Sequence, residues 1–296
     1  MPFTTAVSWR SRRSCDGARS KTCSCASPAG PWSIEMTSAS LPAIPAVRAY
    51  RFWLATYRRT WRGTVSTTVV SPVLYLAAMG VGLGSLVHRS PATGGVPYVQ
   101  FIGPGLLAAT AMQVAATEST YSVLGSFKWV RVYHAMAATP LMPLDILIGH
   151  LMWIATRIAM TAGIYLGVVA AFGGIRSPLG LLALPACLLI GMAFACPIVA
   201  FSTSRENDSG FAALNRFGII PMFLFSGTFF PVSQLPEVFR WIAYATPLWH
   251  GVELVRSLAL GRVDVPADLL HAAYLAAWAA VGFVLAARQF QRKLGV

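Results

Sequence analysis

Few residues in this sequence have the types and spacing that covalent chemistry requires. A phosphate-binding loop needs Gly directly before its Lys, because backbone amides and the ammonium group hold the phosphates together. The three lysines of this chain instead follow Ser20, Phe127 and Arg292. The HExxH and GxSxG motifs of metallopeptidases and hydrolases are absent as well. We therefore predict that the chain is not an enzyme, has no catalytic residue and binds no ATP or other cofactor.

The metal-binding residue types are scattered along the sequence. Cys187 and Cys196 lie in one apolar run, and the remaining three cysteines lack a second ligand pair at zinc spacing. His250 and Glu253 share a helical face, but two ligands do not make a metal site. We expect no metal site, and we expect the histidines not to cluster. The histidines are His88, His134, His150, His250 and His271.

The composition is that of a membrane protein. Hydrophobic residues make up 56% and charged residues 11% of the 296 residues, whereas soluble domains carry about 25% charged residues. The net charge of +13 could indicate nucleic-acid binding. Its distribution favours membrane topology instead, because ten of the 23 Lys and Arg precede Gly63 and most of the others lie between apolar runs.

The N-terminal segment differs from the rest. Residues 1–43 are rich in Ser, Arg, Cys and Pro, which predicts a disordered cytoplasmic tail with Met36 as an alternative start. Residues 44–62 predict a helix with one apolar face and many arginines, which is typical of a helix lying in the membrane interface. The apolar face contains Val47, Tyr50, Leu54, Tyr57 and Trp61, and the arginines are Arg48, Arg51, Arg58, Arg59 and Arg62.

Six apolar runs follow, and we predict that each crosses the bilayer. They occupy about residues 64–87, 98–121, 144–172, 179–202, 217–230 and 268–287. Between the last two, the apolar stretch from Val238 to His250 is too short to cross, which predicts a re-entrant or interfacial helical segment. The expected fold is an all-α polytopic membrane protein with a transmembrane domain at 44–290 and a cytoplasmic tail at 291–296.

Basic residues beside the runs predict the orientation. With both termini in the cytoplasm, twelve Lys and Arg lie on the inner side and five on the outer side. Without the arginines of the predicted interfacial helix the balance is seven to five, so that helix decides the orientation. We expect a multi-pass protein of a bacterial cytoplasmic membrane.

Glu118, His150 and Arg157 lie inside apolar runs, where a charge costs about 2.5–3.5 kcal/mol on insertion scales. Measured along the helices from their predicted inner ends, Glu118 lies at about 5 Å, His150 at about 9 Å and Arg157 at about 20 Å. These depths predict a contact between Glu118 and His150 and a coupling or gating role for Glu118. Arg157 is predicted to line a translocation path or to pair across helices. For Glu118, an acid at the membrane interface is the alternative interpretation.

Two stretches resemble the type-2 permeases of ATP-binding-cassette transporters. Residues 226–231 read SGTFFP, LP follows at 235–236, and an aromatic-rich segment ends in TPL at 246–248. Residues 101–120 read FIGPGLLAATAMQVAATEST, and KWVRVYHAMAATPLMPLDILIGHLMW follows at 128–153. Both are similar to nodulation-type and antibiotic-resistance exporters of that family, over roughly residues 45–290. Thr246 departs from the pattern, because Asn more commonly precedes the proline.

The resemblance implies a half-transporter, in which two permease copies pair and separate cytosolic ATPase subunits carry ATP and Mg²⁺. It implies that residues 44–62 are a connecting helix and residues 123–143 a coupling segment, both against the ATPase. The expected ATPase-coupling residues are Arg51, Arg58, Arg59, Lys128, Trp129, Arg131 and Tyr133. The expected residues of the outer re-entrant motif are Gly227, Pro231, Leu235, Pro236 and Pro247.

The family resemblance favours export of an amphipathic cargo, such as a drug-like metabolite, a lipid-linked glycan or a lipo-oligosaccharide. Membrane lipid is an expected partner and nucleic acid is not. Two alternatives remain. An ion-coupled secondary transporter would require charged residues near mid-membrane, where only Arg157 is predicted. A membrane-embedded cofactor-assembly protein would require clustered histidines, cysteines or carboxylates.

Overall fold

The computed structural model describes residues 45–76, 98–171 and 177–295, together with Ala78 and Gly173. Regular structure in these ranges is helical, and none of it is β-strand. Several predictions fall outside the described residues. They concern the tail at 1–43 with Met36, the end of the first span, His88, and the side chains of Trp61 and Arg62.

Eleven α-helices are found in the described residues. They are α1 (Pro45–Leu76), α2 (Tyr98–Ser119), α3 (Tyr121–Lys128), α4 (Val132–Ala137), α5 (Pro143–Ala171), α6 (Ala183–Ser204), α7 (Ser209–Ala213), α8 (Ile220–Phe225), α9 (Glu237–Ala245), α10 (Pro247–Leu260) and α11 (Val265–Leu294). A π-helix, Leu214–Ile219, joins α7 to α8, and 3₁₀ turns occupy Pro178–Leu182 and Val232–Gln234.

The predicted boundary between an interfacial helix and the first span is wrong. A separate interfacial helix ending near residue 62 was expected before the first span, but α1 is one continuous helix of 32 residues. Gly63 does not interrupt it, because glycine inside a helix costs only about 1 kcal/mol relative to alanine. The face of α1 toward α5 includes the buried Ala46 and Ala49, which the predicted apolar face omits.

Three helices of the described part are long and apolar enough to cross a membrane. They are Pro143–Ala171, Pro178–Ser204 and Val265–Leu294, and they correspond to the third, fourth and sixth predicted spans. The fifth predicted span corresponds to a shorter apolar helix, Ser209–Phe225. The last helix extends through the residues predicted as a C-terminal tail as far as Leu294.

Helix α6 lies at the centre of the packing, with α2, α5, α10 and α11 against it. Helix α1 packs on the outside of α5. This contact is close at Gly149, where a Cβ atom would lie 2.5 Å from the Cβ of Ala49 and 2.8 Å from the carbonyl oxygen of Ala46. Small residues therefore let α1 and α5 approach, as they do in many membrane helix pairs.

Candidate functional site

The two ends of α2 define two candidate regions. We call the end where α2 stops and α3 to α5 follow the inner end, and the opposite end, with α9 and α10, the outer end. Helix α11 also joins both regions, because His271 lies against α10 and Phe290 against α3 and α4. Side chains at each end can thus be compared on the same helices.

An ion pair joins three helices at the inner end. The Nε of Arg157 on α5 donates to Oε1 of Glu118 on α2 at 3.0 Å, and the two side chains are 11% and 17% exposed. The Arg157 guanidinium also lies 5.1 Å from the centre of the Tyr57 ring of α1. A cation over an aromatic face adds electrostatic attraction. The pair therefore fixes α1, α2 and α5 together at the level where α2 ends.

This pair gives Arg157 a partner on another helix, which is one of its two predicted roles, but it corrects the predicted depth of Arg157. Glu118 lies one residue before the end of α2, so depths of about 5 Å and 20 Å cannot both hold for atoms 3.0 Å apart. The reason is that α5 begins well beyond the end of α2, and its first turns pack on α1 and α4. The carboxylate of Glu118 bonds to Arg157. The predicted neighbour His150 lies beside the backbone of Glu118, with its ring between Trp53 and Tyr133.

A buried cluster of aromatic rings lies next to that ion pair. Tyr133 of α4 is fully buried, with ring centres at 4.7 Å from Phe127, 5.3 Å from Phe290 and 5.8 Å from His150. The rings meet edge to face, which is a favourable geometry for aromatic pairs. Trp53 of α1 closes the cluster at 4.6 Å from His150. We name Trp53, Phe127, Tyr133, His150 and Phe290 the aromatic cluster.

Six of the seven predicted ATPase-coupling residues are exposed, and one is not. Arg51, Arg58 and Arg59 are exposed on α1, and Lys128, Trp129 and Arg131 are exposed between α3 and α4. Tyr133 is fully buried, so its side chain lies beneath the exposed surface of this segment. Burial also raises the pKa of Tyr133 far above its usual range, so the phenol stays protonated.

The backbone of the exposed segment is strained at one point. Arg131 has a φ of +53°, in the left-handed region that non-glycine residues seldom occupy. Such conformations cost roughly 1–3 kcal/mol and concentrate at functional sites. The neighbouring Trp129 is 65% exposed, which is unusual for a large aromatic side chain with no partner surface. The segment between α3 and α4 is thus shaped as a protruding contact.

An apolar groove of about 510 Å³ lies beside this segment. Helix α1 contributes Arg48, Ala49 and Phe52, and the opposite wall is formed by α4 and the chain that follows it. The opposite wall contains Val130, Val132, Ala135, Met136, Thr139, Pro140 and Leu141. An apolar groove with basic side chains around it is a suitable surface for a partner protein.

At the outer end, the SGTFFP motif is fixed by a buried arginine. The carbonyl of Gly227 accepts a hydrogen bond from Nη2 of Arg256 at 2.8 Å, and Nη1 donates to Oε1 of Glu253 at 2.7 Å. The guanidinium stacks on the Phe101 ring of α2 at 4.0 Å. Gly227 has a φ of +81°, a conformation that glycine adopts without steric cost. Arg256 therefore joins the motif to α2 and α10.

The prolines of the outer motif stand at the beginnings of helical turns. Pro231 precedes the 3₁₀ turn Val232–Gln234, Pro236 precedes α9, and Pro247 is the first residue of α10. The ring fixes φ near −65° and the missing N–H is not needed at a helix start. Leu235 accepts a hydrogen bond at its carbonyl from Arg240 at 3.3 Å. The motif residues thus set where α9 and α10 begin.

Two histidines that the sequence separates by 21 residues form a buried pair. The Nδ1 atoms of His250 and His271 are 2.7 Å apart, and the Tyr274 ring stacks on His250 with ring centres 4.1 Å apart. The expectation that the histidines do not cluster is therefore wrong. The pair connects α10 to α11, and the bond of Ser257 to Asp268 at 2.8 Å connects the same helices.

Close to the inner end, a polar groove runs along the last two turns of α2. Two adjoining cavities of about 310 and 340 Å³ share Ala116, Thr117, Asn215 and Ile219 as lining residues. Gln113, Thr117 and Asn215 present exposed polar groups there on otherwise apolar helices. The π-helix supplies Asn215, and π-helical turns are frequent at functional sites. We name this feature the α2 groove.

Comparison with known proteins identifies the family. The profile of the ABC-2 type transporter family matches residues 49–260. The chain belongs to the ABC-2 type transporter family. It is 34% identical to nodulation protein J of Rhizobium leguminosarum bv. viciae over 250 residues, which are 82% of this chain and 95% of that protein. Nodulation protein J of Rhizobium leguminosarum bv. trifolii is 35% identical over 252 residues, covering 82% and 94%.

A third relative, nodulation protein J of Rhizobium meliloti (strain 1021), is 33% identical over 250 residues, with 82% of this chain and 94% of the relative covered. The resemblance to type-2 permeases is confirmed, and the chain is a membrane transport subunit. The family match ends at residue 260, so it includes the inner-end coupling segment, the α2 groove and α9 and α10.

Sequence reasoning missed four features of this ABC-2 subunit. They are the Arg256 contact with Gly227, the histidine pair, the aromatic cluster and the α2 groove. A signal existed for the first, since Arg256 lies one helical turn after Glu253, a spacing at which opposite charges pair. The polar positions Gln113 and Thr117, four residues apart on an apolar helix, were a signal for the last.

Proposed function

We propose that this chain is the permease of an ATP-driven exporter, working as two copies with a separate ATPase in a bacterial cytoplasmic membrane. The proposal includes six spans within residues 44–290, a re-entrant outer segment at α9 and α10, and both termini with the tails at 1–43 and 291–296 in the cytoplasm. Family membership and the three long apolar helices support this arrangement.

The observation that carries the proposal is the construction of the inner end. Exposed Lys128, Trp129 and Arg131 protrude beside an apolar groove, and they stand directly on the buried aromatic cluster. A soluble partner that pushes on this surface would move α4, and through Tyr133 it would move α5 and α11. The exposed arginines of α1 would take part in the same contact.

The ion pair provides the connection from this surface to the spans. Arg157 and Glu118 join α5 to α2 about two turns beyond the His150 position, and Tyr57 joins α1 to the same point. A displacement of α5 would therefore be transmitted to α2 and to the groove along its side. ATP and Mg²⁺ would be bound by the partner, whose nucleotide-driven closure supplies the force.

The α2 groove is the proposed part of the translocation path in each copy. Its exposed Gln113, Thr117 and Asn215 are polar, while Phe217 and Ile220 beside it are exposed and apolar. A mixed surface of this kind suits an amphipathic cargo, and a second copy facing it would enclose the path. The proposed cargo is a drug-like metabolite, a lipid-linked glycan or a lipo-oligosaccharide, and the proposed direction is export.

Purification of the tagged chain from its own membrane in mild detergent tests the proposal. Mass spectrometry and an ATPase assay are performed on the same sample. We expect a stoichiometric partner that carries a phosphate-binding loop, with vanadate-sensitive ATPase activity. A chain that purifies alone, with transport driven by an ion gradient, would establish a secondary transporter instead. A bound metal or haem without ATPase would establish a cofactor-assembly protein.

A further inference from the structure

A cavity of about 370 Å³ opens at the outer end, on the side of α10 that carries Arg256. Four of its lining residues are Trp249, Glu253, Arg256 and Leu260, whose spacing of three and four residues puts them on one helical face. The beginning of α2, the end of the SGTFFP motif with the chain after it, the end of α9 and the chain after α10 complete the walls. These parts contribute Phe101, Pro231, Val232, Ser233, Tyr244 and Arg262. The volume lies in the range of about 300–1,000 Å³ that small-molecule sites occupy.

The lining of this outer cavity carries charges of both signs. Glu253 pairs with the buried Arg256, and its side chain is 38% exposed. Arg262 is an exposed second guanidinium in the lining. Two aromatic rings, Tyr244 and Trp249, stand 4.6 Å apart between ring centres in the same wall. A guanidinium is suited to a phosphate group, and a carboxylate beside aromatic rings is suited to an ammonium group.

The position of the outer cavity beside α9 indicates the source of such a ligand. Helix α9 exposes four large apolar side chains, Val238, Phe239, Trp241 and Ile242. An amphipathic helix with exposed aromatic residues is typical of the region where lipid headgroups meet the acyl chains. Tyr244, which lines the cavity, lies on the last turn of that helix. A ligand at this depth arrives as part of a lipid molecule.

We propose that the outer cavity binds the headgroup of a zwitterionic phospholipid, with the phosphate at Arg262 and the ammonium at Glu253, between Tyr244 and Trp249. Ethanolamine and choline headgroups share this chemistry, and both put a positive group a short distance from the phosphate. The inference depends on the residues of the outer end alone, so it does not rest on ATP coupling or on the identity of the cargo.

The test is lipid titration of the purified, delipidated full-length protein, followed by native mass spectrometry. The probes are dioleoyl phosphatidylethanolamine, dioleoyl phosphatidylcholine and dioleoyl phosphatidylglycerol. We expect at least one zwitterionic lipid to bind about tenfold more tightly than phosphatidylglycerol. If phosphatidylethanolamine binds more tightly than phosphatidylcholine, the ammonium group donates a hydrogen bond to Glu253. If the two lipids bind equally, the ammonium group is held by its contact with the aromatic rings. Either result supports the proposal.

Arg262→Gln is the decisive variant, because it removes the charge assigned to the phosphate and retains a polar side chain. It should weaken zwitterionic lipid binding about tenfold, and Tyr244→Leu should weaken it severalfold. Arg292→Gln, which removes the same charge from the exposed surface at the far end of α11, should bind like the unmodified protein. Equal binding of phosphatidylglycerol, or equal behaviour of the Arg262 and Arg292 variants, would overturn the proposal.

Discussion

The inner and outer ends of this transporter subunit share the long helices α2 and α11 but differ in which side chains they expose. At the inner end, basic and aromatic side chains are exposed, and Trp129 is 65% exposed beside the strained Arg131. At the outer end, the central charged group is buried and paired, because Arg256 is only 8% exposed between Glu253, Gly227 and Phe101. This difference supports our proposal that the inner end contacts another protein.

Each end also has a different means of connecting its surface to the spans. The aromatic cluster at the inner end is held by packing, which tolerates small rotations of the rings. The outer end is held by directional bonds, including the His250–His271 contact at 2.7 Å and the Ser257–Asp268 bond at 2.8 Å. We expect displacement to begin at the inner end, while the outer motif moves as a unit with α10 and α11.

Removal of the buried phenol ring should have the largest effect on stability. Tyr133→Ala deletes the centre of the aromatic cluster and should lower the free energy of unfolding by roughly 3–5 kcal/mol, as for other buried aromatic residues. Tyr133→Phe retains the ring contacts and should cost much less. Thermal unfolding in detergent micelles measures both. Equal melting temperatures for the two variants would show that the ring is not a structural centre of the inner end.

Removal of the buried guanidinium should have the next largest effect. Arg256→Met leaves the carbonyl of Gly227 and the carboxylate of Glu253 without their donor, which should cost roughly 2–4 kcal/mol. The double variant Glu253→Gln/Arg256→Met should recover part of that loss, because no charge then remains unpaired. Arg288→Gln, at an exposed position on α11, is the control. A melting temperature unaffected by Arg256→Met would contradict the assigned role of Arg256.

The inner ion pair should contribute a smaller amount, because both side chains retain some exposure. Glu118→Gln and Arg157→Gln should each cost about 1–2 kcal/mol, and the double variant should cost less than their sum. If the pair transmits motion from α5 to α2, Glu118→Gln should also reduce cargo-dependent ATPase activity of the assembled transporter. Full coupling in Glu118→Gln would leave the pair a purely structural contact.

The histidine pair should make the outer end sensitive to acid. Burial, and then the positive charge that His271 can carry, lower the pKa of His250 below its ordinary value of 6.5. In the unfolded chain His250 takes up a proton as the pH falls below 6.5, while the folded chain resists protonation, so stability decreases in that direction. Unfolding measured from pH 7.5 to pH 5 should show a shallower decrease for His250→Gln. An unchanged pH profile would exclude His250 as the cause.

Sequence reasoning was most successful for features that depend on length and local pattern. The bounds of α5, α6 and α11 lie within a few residues of the predicted spans at their beginnings, because an apolar run and a proline near the start define each helix. The exposed coupling segment was predicted from family resemblance, except that Tyr133 is turned inward. The sequence of a short helix that mixes charged and apolar residues does not show which of its side chains are buried.

The failed predictions all concern how helices that are distant in sequence pack against one another. Depth was counted from the ends of apolar runs, as if all helices began at one level, but α5 begins far beyond the end of α2, so Arg157 meets Glu118. Contacts between distant segments, such as His250 with His271, depend on how helices cross, and no local periodicity encodes the crossing. The merged helix α1 likewise depends on packing against α5 rather than on the glycine at position 63.

The most direct test of partner binding at the inner end compares two tryptophans. Trp129 at the inner end and Trp241 at the outer end are 65% and 68% exposed, so replacing either with alanine removes a similar exposed side chain. Each variant is purified from native membranes, and the amount of ATPase subunit retained per permease is measured. We predict that Trp129→Ala loses most of the ATPase while Trp241→Ala retains it. Equal retention by both variants would contradict the assignment of the inner end as the ATPase-binding surface.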